Sequence, residues 1–422
     1  MLKGEKIRFD IHNILFSIYK FNKTLNSPSN VSIFNNYKKE DISFLNNVVL
    51  NSMRLSLHSS IIINRYIKKK LRLHEKILLI SAITQIVFLD FKEYAVINCS
   101  VEIAKRLKIY PGLVNASLKN ISKDKKKLKL TKIEYSDLPD WFKNNTKFLS
   151  KKEKEHFVKN FSKEPSIHII FKNSKKLSLF EENIFKTSSV SGFLEKRKDI
   201  TEIKSFKKGD WWVQDFSSFF PIQYLYNFKK NETIFDACAA PGGKSFQILS
   251  KNLKLISNDK SYYRKKILES NLNRLNFKSE VLHNDFIKFN TNRKYDFIIV
   301  DAPCSAVGTI RKNPEIFFKN KSPDFKSLFD IQRKLLDKAS FLLNKNGLIL
   351  YMVCSFLEDE TVCQINNFLL KHKNFEIYNL EKISKNLKYS KFLKKNFMLT
   401  LPDTIQDYNI DGYFACYLKK AK

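Results

Sequence analysis

Three short stretches hold the residues best suited to chemistry. Asp301-Ala302-Pro303-Cys304 sets a carboxylate and a thiol three residues apart. Tyr351–Ser355 (YMVCS) supplies a second thiol, Cys354, and Ile234–Ser245 (IFDACAAPGGKS) holds Lys244 in a loop of small residues. A thiolate is the nucleophile of covalent catalysis, and a neighbouring cation lowers the pH at which it forms. Two thiols in one crevice suit a reaction in which one sulfur adds and the other helps it leave. Methylation of cytosine has that form. Carbon 5 is too weak a nucleophile to attack a sulfonium methyl group. Addition of a thiolate to carbon 6 turns the ring into an enamine whose carbon 5 takes the methyl. An acid near N3 stabilises the adduct, and loss of the carbon-5 proton lets the sulfur depart. Asp301 suits the position at N3, and Lys244 is expected to hold Asp301 and to lower a nearby thiol. The target base must leave its stack, so a flipped or single-stranded cytosine is expected.

The loop around Lys244 offers two cofactor readings. Gly243-Lys244-Ser245 satisfies the second half of a nucleotide-binding P-loop, and Tyr295–Asp301 imitates the strand that accompanies one. However, Cys238 stands where the first P-loop glycine belongs, and Pro241 removes a phosphate-cradling N–H. A nucleoside-triphosphate hydrolase is therefore the weaker reading. An S-adenosylmethionine site fits better. Gly242 and Gly243 admit close approach of a ligand to the backbone and lead into a helix N-terminus. Asp259, ending LISND, suits a ribose, and Asp285, ending LHND, suits an adenine amino group. With Cys238, Ala239, Ala240, Pro241, Lys244 and Asp301, these residues form the candidate cofactor set.

The elements that must position these residues begin near Tyr224. Strands are predicted at Thr233–Phe235, Leu253–Ser257, Glu280–His283, Tyr295–Val300 and Gly347–Val353. Helices are predicted at Ser245–Ser250, Tyr262–Leu275, Phe325–Leu343 and Glu358–His372. Alternation of this kind implies a Rossmann-like α/β domain over 221–422, with a mostly parallel sheet, helices on both faces and ligands beyond the strand ends. Residues 1–140 read as helices: a first one through Ile11–Tyr19, a polar break at Asn26–Asn36, then Phe44–Leu57, Ile61–Leu71, His74–Leu89, Ala95–Leu107 and Gly112–Ile121. Residues 141–220, with strand-like pieces such as Ser166–Phe171, suggest a small α+β linker domain. Basic runs at Lys119–Lys132 and Lys151–Lys163 surround the junction.

The chain has 76 Lys and Arg against 42 Asp and Glu in 422 residues, a formal charge of +34. Part of that excess reflects codon bias toward Lys, Asn and Ile; the remainder favours nucleic acid over an anionic membrane. The longest apolar run, Ile77–Leu89, is interrupted by Thr84 and Gln85 and is too short to span a bilayer. Six cysteines without paired spacing argue against a disulfide framework or a zinc site, so no metal is expected. A cytoplasmic monomer is the expectation.

Taken together, DACAAPGGK (Asp236–Lys244), DAPCSAVGTIRKNPE (Asp301–Glu315), WVQDFSS (Trp212–Ser218) and DGYFACYLKK (Asp411–Lys420) resemble the NOL/NOP/Sun family of RNA cytosine-C5 methyltransferases. The likeness is to the branch acting on small-subunit ribosomal RNA. DISFLNNVV (Asp41–Val49), the Gln85 helix, YAVINCSVEIAK (Tyr94–Lys105) and GLVNASLKNI (Gly112–Ile121) are similar to a NusB-type RNA-binding domain. The residues alone leave the attacking thiol open, since in DNA cytosine methyltransferases the Pro-Cys thiol attacks, which favours Cys304. The family resemblance instead implies Cys354 as nucleophile and Cys304 as the residue assisting release. The chain departs from the family pattern at Glu315 (usually Asp), Val353 (usually Thr) and Asn346 (usually Gly). A non-catalytic RNA-binding or assembly factor on the same scaffold is the alternative from another class.

Overall fold

The computed structural model describes residues 3–380 and 387–421. The chain folds as two compact units: Met1–Lys163 with Ile310–Ser322, and Glu164–Thr309 with Pro323–Lys422. These limits differ from the expected divisions at 140 and 220. Helices Asp140–Asn145 and Lys151–Asn160 belong to the first unit, where Phe142 stacks on Phe157 at 4.7 Å between ring centroids.

The first unit is helical. Helices Lys3–Phe21, Lys39–Arg54, Ser56–Tyr66, Leu73–Ile83, Glu93–Arg106 and Pro111–Lys123 carry apolar side chains at i, i+3 and i+4. Their buried faces share one core that includes Ile11, Leu15, Val48, Leu79, Ile103 and Leu118. The polar break expected at Asn26–Asn36 contains a short helix, Pro28–Phe34. Pro28 pre-sets its first turn. Buried Asn30 accepts from Ser17 Oγ (2.8 Å) and donates to Thr24 O (2.8 Å), so its polar side chain is satisfied inside. The polar interruption of the apolar run is likewise internal: Gln85 accepts from Arg8 Nε (2.8 Å) on the adjoining π-turn Thr84–Phe88. Among the described residues no helix is long and apolar enough to cross a membrane.

In the second unit, strands β1 (His168–Phe171), β2 (Ile184–Ser188), β3 (Ser191–Leu194) and β4 (Trp211–Val213) form an antiparallel sheet in the order β2-β3-β1-β4. The central sheet contains β5 (Ile234–Asp236), β6 (Leu255–Asn258), β7 (Glu280–Leu282), β8 (Tyr295–Asp301) and β9 (Leu343–Val353). They are parallel, in the order β7-β6-β5-β8-β9. The closing strand Tyr413–Lys420 then runs antiparallel to β9.

Strand β8 shows why this sheet reads as an uninterrupted apolar run. Phe297 and Ile299 pack with Phe246, Ile248, Leu268 and Leu272, from helices Gly243–Leu249 and Tyr262–Arg274. Ile298 and Val300 point the other way, toward Leu335, Leu336, Ile365 and Phe368 of helices Phe325–Leu342 and Val362–Lys371. Both faces are covered, so period-2 alternation has no polar side to reveal it. Strand order reverses between β5 and β8. A crevice therefore opens beyond their carboxyl ends, where Ala237 and Asp301 lie.

Candidate active site

Every chemical residue singled out in the second unit lies at a carboxyl end of this sheet. The loop leaving β5 runs through Cys238–Gly242 into helix Gly243–Leu249. Gly242 has φ +117, and a Cβ there would fall 2.1 Å from the Phe246 ring. Only glycine fits both restrictions. Asp259, just past β6, accepts from the Ala240 N–H (3.2 Å) and the Ser261 N–H (2.9 Å), so the acid is buried and tied to the glycine loop. Asp285, past β7, pairs with Lys260 at 2.9 Å, and this hydrogen bond holds its carboxyl below the usual range. Asn258 adds a brace, donating to Ala237 O (3.0 Å) and Asn284 O (3.1 Å) across the strand ends.

Carboxylates dominate the crevice. Burial pushes Asp236 up to about 7, against the opposing donation from Ser245 Oγ at 2.7 Å. Burial, then the charges of Asp236, Asp301 and Asp259, raise the Cys238 thiol well above its ordinary value. Cys238 is thus an inert lining residue at neutral pH. Lys244 meets this negative field by donating to Asp301 Oδ2 at 2.7 Å, the pairing expected from the residue types.

The two remaining thiols meet across the ends of β8 and β9. Cys304 Sγ lies 3.3 Å from Cys354 Sγ. The Cys304 thiol is pushed up by its hydrogen bond with Cys354, then by burial and the charges of Cys354 and Glu360. The lowering expected for a thiol near Lys244 therefore does not occur at Cys304, where these influences outweigh the lowering by a backbone hydrogen bond at Ala306. All six cysteines are free.

Sequence comparison fits this geometry. Residues 223–419 match the family of 16S rRNA methyltransferases RsmB/F, and residues 6–123 match the NusB family. The chain carries an RsmB/F methyltransferase domain behind a NusB-family domain. It is 38% identical over 179 residues to the ribosomal RNA small subunit methyltransferase B of Shewanella oneidensis, covering 41% of this chain and 42% of that protein. It is 32% identical over 240 residues to the 25S rRNA (cytosine-C(5))-methyltransferase nop2 of Schizosaccharomyces pombe, covering 54% and 39%. These alignments span less than half the length of either relative. The crystal structure of PH0851 has the same fold, with a TM-score of 0.73 and 20% identity over 100% of this chain and 99% of that one.

Within the RsmB/F domain, several positioning residues escaped sequence reasoning. Glu360 is fully buried and accepts from Ser305 N (2.8 Å), Ser305 Oγ (2.5 Å) and Gln332 Nε2 (3.2 Å), anchoring the residue after Cys304. In the sequence it is the third member of an acidic triplet, Glu358-Asp359-Glu360, which reads as a solvated turn. Gly308 donates to Cys354 O (3.1 Å) and accepts from Gly412 N (2.9 Å). A Cβ on Gly308 would lie 1.9 Å from Gly412 O, so the glycine permits this close approach. The loop Asp301–Glu315 does not act as one piece. Its first part, through Thr309, belongs to the second unit, and its continuation packs in the helical unit. There Arg54 Nη2 donates to Arg311 O (3.1 Å), and Phe318 meets Tyr19 edge-on at 5.5 Å. Glu315, within that continuation, is raised by burial.

Proposed function

We propose that the chain is an S-adenosylmethionine-dependent methyltransferase acting on carbon 5 of a cytosine in small-subunit ribosomal RNA. The observation that carries this reading is the pair of thiols 3.3 Å apart beside a carboxylate gripped by Lys244. A half-buried cysteine pair of this kind serves no step of nucleotide hydrolysis. The reaction of cytosine at carbon 5 needs one sulfur to add to carbon 6, and a second beside it can assist release of the adduct. The names of the two relatives, one a small-subunit methyltransferase and one a cytosine-C5 methyltransferase, agree with it.

The residues fit the cofactor. Bound S-adenosylmethionine would supply an electrophilic methyl group on a cationic sulfur, which suits a crevice containing Asp236, Asp259, Asp285 and Asp301. Cys238–Lys244 would face it through the glycine loop, Asp259 would hold the ribose, and Asp285 the adenine amino group. Cys354 adds to carbon 6 of the flipped cytosine, while Asp301, held by Lys244, supports the proton at N3. After methylation the carbon-5 proton passes to water, the electron pair it leaves forms the double bond between carbons 5 and 6, and the carbon–sulfur bond breaks. Cys304, which retains its proton because its thiol is pushed up, donates toward the departing Cys354 sulfur. The positive chain as a whole, with its NusB-family domain, suits the RNA substrate.

The test is methyl transfer from radiolabelled S-adenosylmethionine to naked small-subunit ribosomal RNA, followed by nucleoside analysis. Label recovered as 5-methylcytidine supports the reading. Label in another nucleoside, or ATP hydrolysis without methyl transfer, contradicts it.

A further inference from the structure

Asp301 is held from two sides, and only one of those contacts belongs to the cofactor loop. Tyr413, on the closing strand, donates its hydroxyl to Asp301 Oδ1 at 2.9 Å, while Lys244 takes Oδ2. The Tyr413 ring also lies beneath the Lys244 ammonium, 5.7 Å from Nζ to the centroid. One side chain thus touches both members of the ion pair. Tyr413 is only 3% exposed, and the backbone around it is fixed by Gly412 N donating to Gly308 O.

We infer that Tyr413 is a positioning residue that sets the rotation of the Asp301 carboxylate and so governs proton support at N3 of the cytosine. A carboxylate turns readily about its last bond. Two donors on opposite oxygens, one from the loop after β5 and one from the closing strand, lock that rotation and leave a lone pair on each oxygen for the substrate. Burial, the charges of Asp301 and Cys354, and the hydrogen bond itself push the phenol far up, so Tyr413 remains a donor throughout the working pH range. Nothing in the composition of the motif required this. A phenylalanine would fill the same space and leave Oδ1 free to swing.

This inference deepens the proposed methyl transfer and rests on that reading for its catalytic consequence. The test is Tyr413→Phe, which preserves the ring and its packing. Single-turnover methyl transfer at saturating RNA and cofactor is expected to fall on the order of 10-fold, a fraction of the 10²–10⁴ that a general acid contributes. Melting temperature, RNA KM and cofactor affinity should remain close to wild type. A crystal structure of the variant should find the Asp301 carboxylate rotated away from Lys244. A single-turnover rate within twofold of wild type, or a carboxylate unmoved in the variant, overturns the inference. Should the wild-type protein make no 5-methylcytidine, the proposed function fails, and the crystal structure still decides whether Tyr413 positions Asp301.

Discussion

Cys304 and Cys354 end neighbouring parallel strands, yet the chain holds them in different ways. Cys354 sits at the end of β9, an eleven-residue strand bonded on both sides, to β8 and to the closing strand. Cys304 lies in a loop fastened by hydrogen bonds of single residues, from Gln332 to Pro303 O, by Ser305 to buried Glu360 and by Gly308 to Cys354 O and Gly412 N. Its thiol is pushed up by the neighbouring sulfur, burial and the Glu360 charge. The strand-end sulfur is thus rigidly presented, while the loop sulfur keeps a proton beside it. The difference teaches that nearness alone does not assign roles. On the proposed roles Cys354 attacks from the strand end and Cys304 donates the proton from the loop, the reverse of the order suggested by a Pro-Cys pattern.

The largest expected effect follows from removing the attacking sulfur. Cys354→Ala should lower methyl transfer by on the order of 10³-fold or more, because on the proposed roles Cys304 does not form the adduct. Residual activity near wild type would break the contrast between the two thiols. A smaller effect should come from the anchor. Glu360→Ala orphans the Ser305 N–H in the interior, at a cost of about 1–3 kcal/mol. Thermal melts should reveal that loss, and methyl transfer should fall with it as the Cys304 loop loosens. A variant as stable and active as wild type would mean that the anchor is incidental. The smallest effect is on reactivity. At pH 8, iodoacetamide should modify Cys304 slowly, since a thiol pushed up has little thiolate. Mass spectrometry that finds Cys304 labelled rapidly would contradict the comparison.

The parallel sheet and its helices were legible in the sequence because strands covered on both faces form apolar runs between helical periods. Boundaries moved by only a few residues, as with Gly347–Val353 becoming Leu343–Val353. The candidate set was legible too, since cysteines are scarce in this chain, at six, and Cys304, Asp301 and Lys244 each lie within two residues of a glycine or proline. Their supports were not. Glu360 looks like one surface acid among three, and its burial depends on helix Phe325–Leu342 bringing Gln332 to it. Tyr413 is one more aromatic in a strand rich in them, and its bond to Asp301 spans 112 residues of sequence. The continuation of the cysteine loop was also invisible. Arg311 reads as a charged loop residue, but it is 1% exposed in the helical unit. Long-range pairing of polar groups leaves no periodic signature, whereas apolar packing does.

The most direct test of the central claim is to trap the covalent intermediate. Labelled small-subunit ribosomal RNA, S-adenosylmethionine and the Cys304→Ala protein should give a complex that survives denaturing electrophoresis, because the sulfur of Cys354 adds and is not released. Cys354→Ala and the double variant should give none. A denaturation-resistant complex with Cys354→Ala, and none with Cys304→Ala, would contradict the account and make Cys304 the nucleophile.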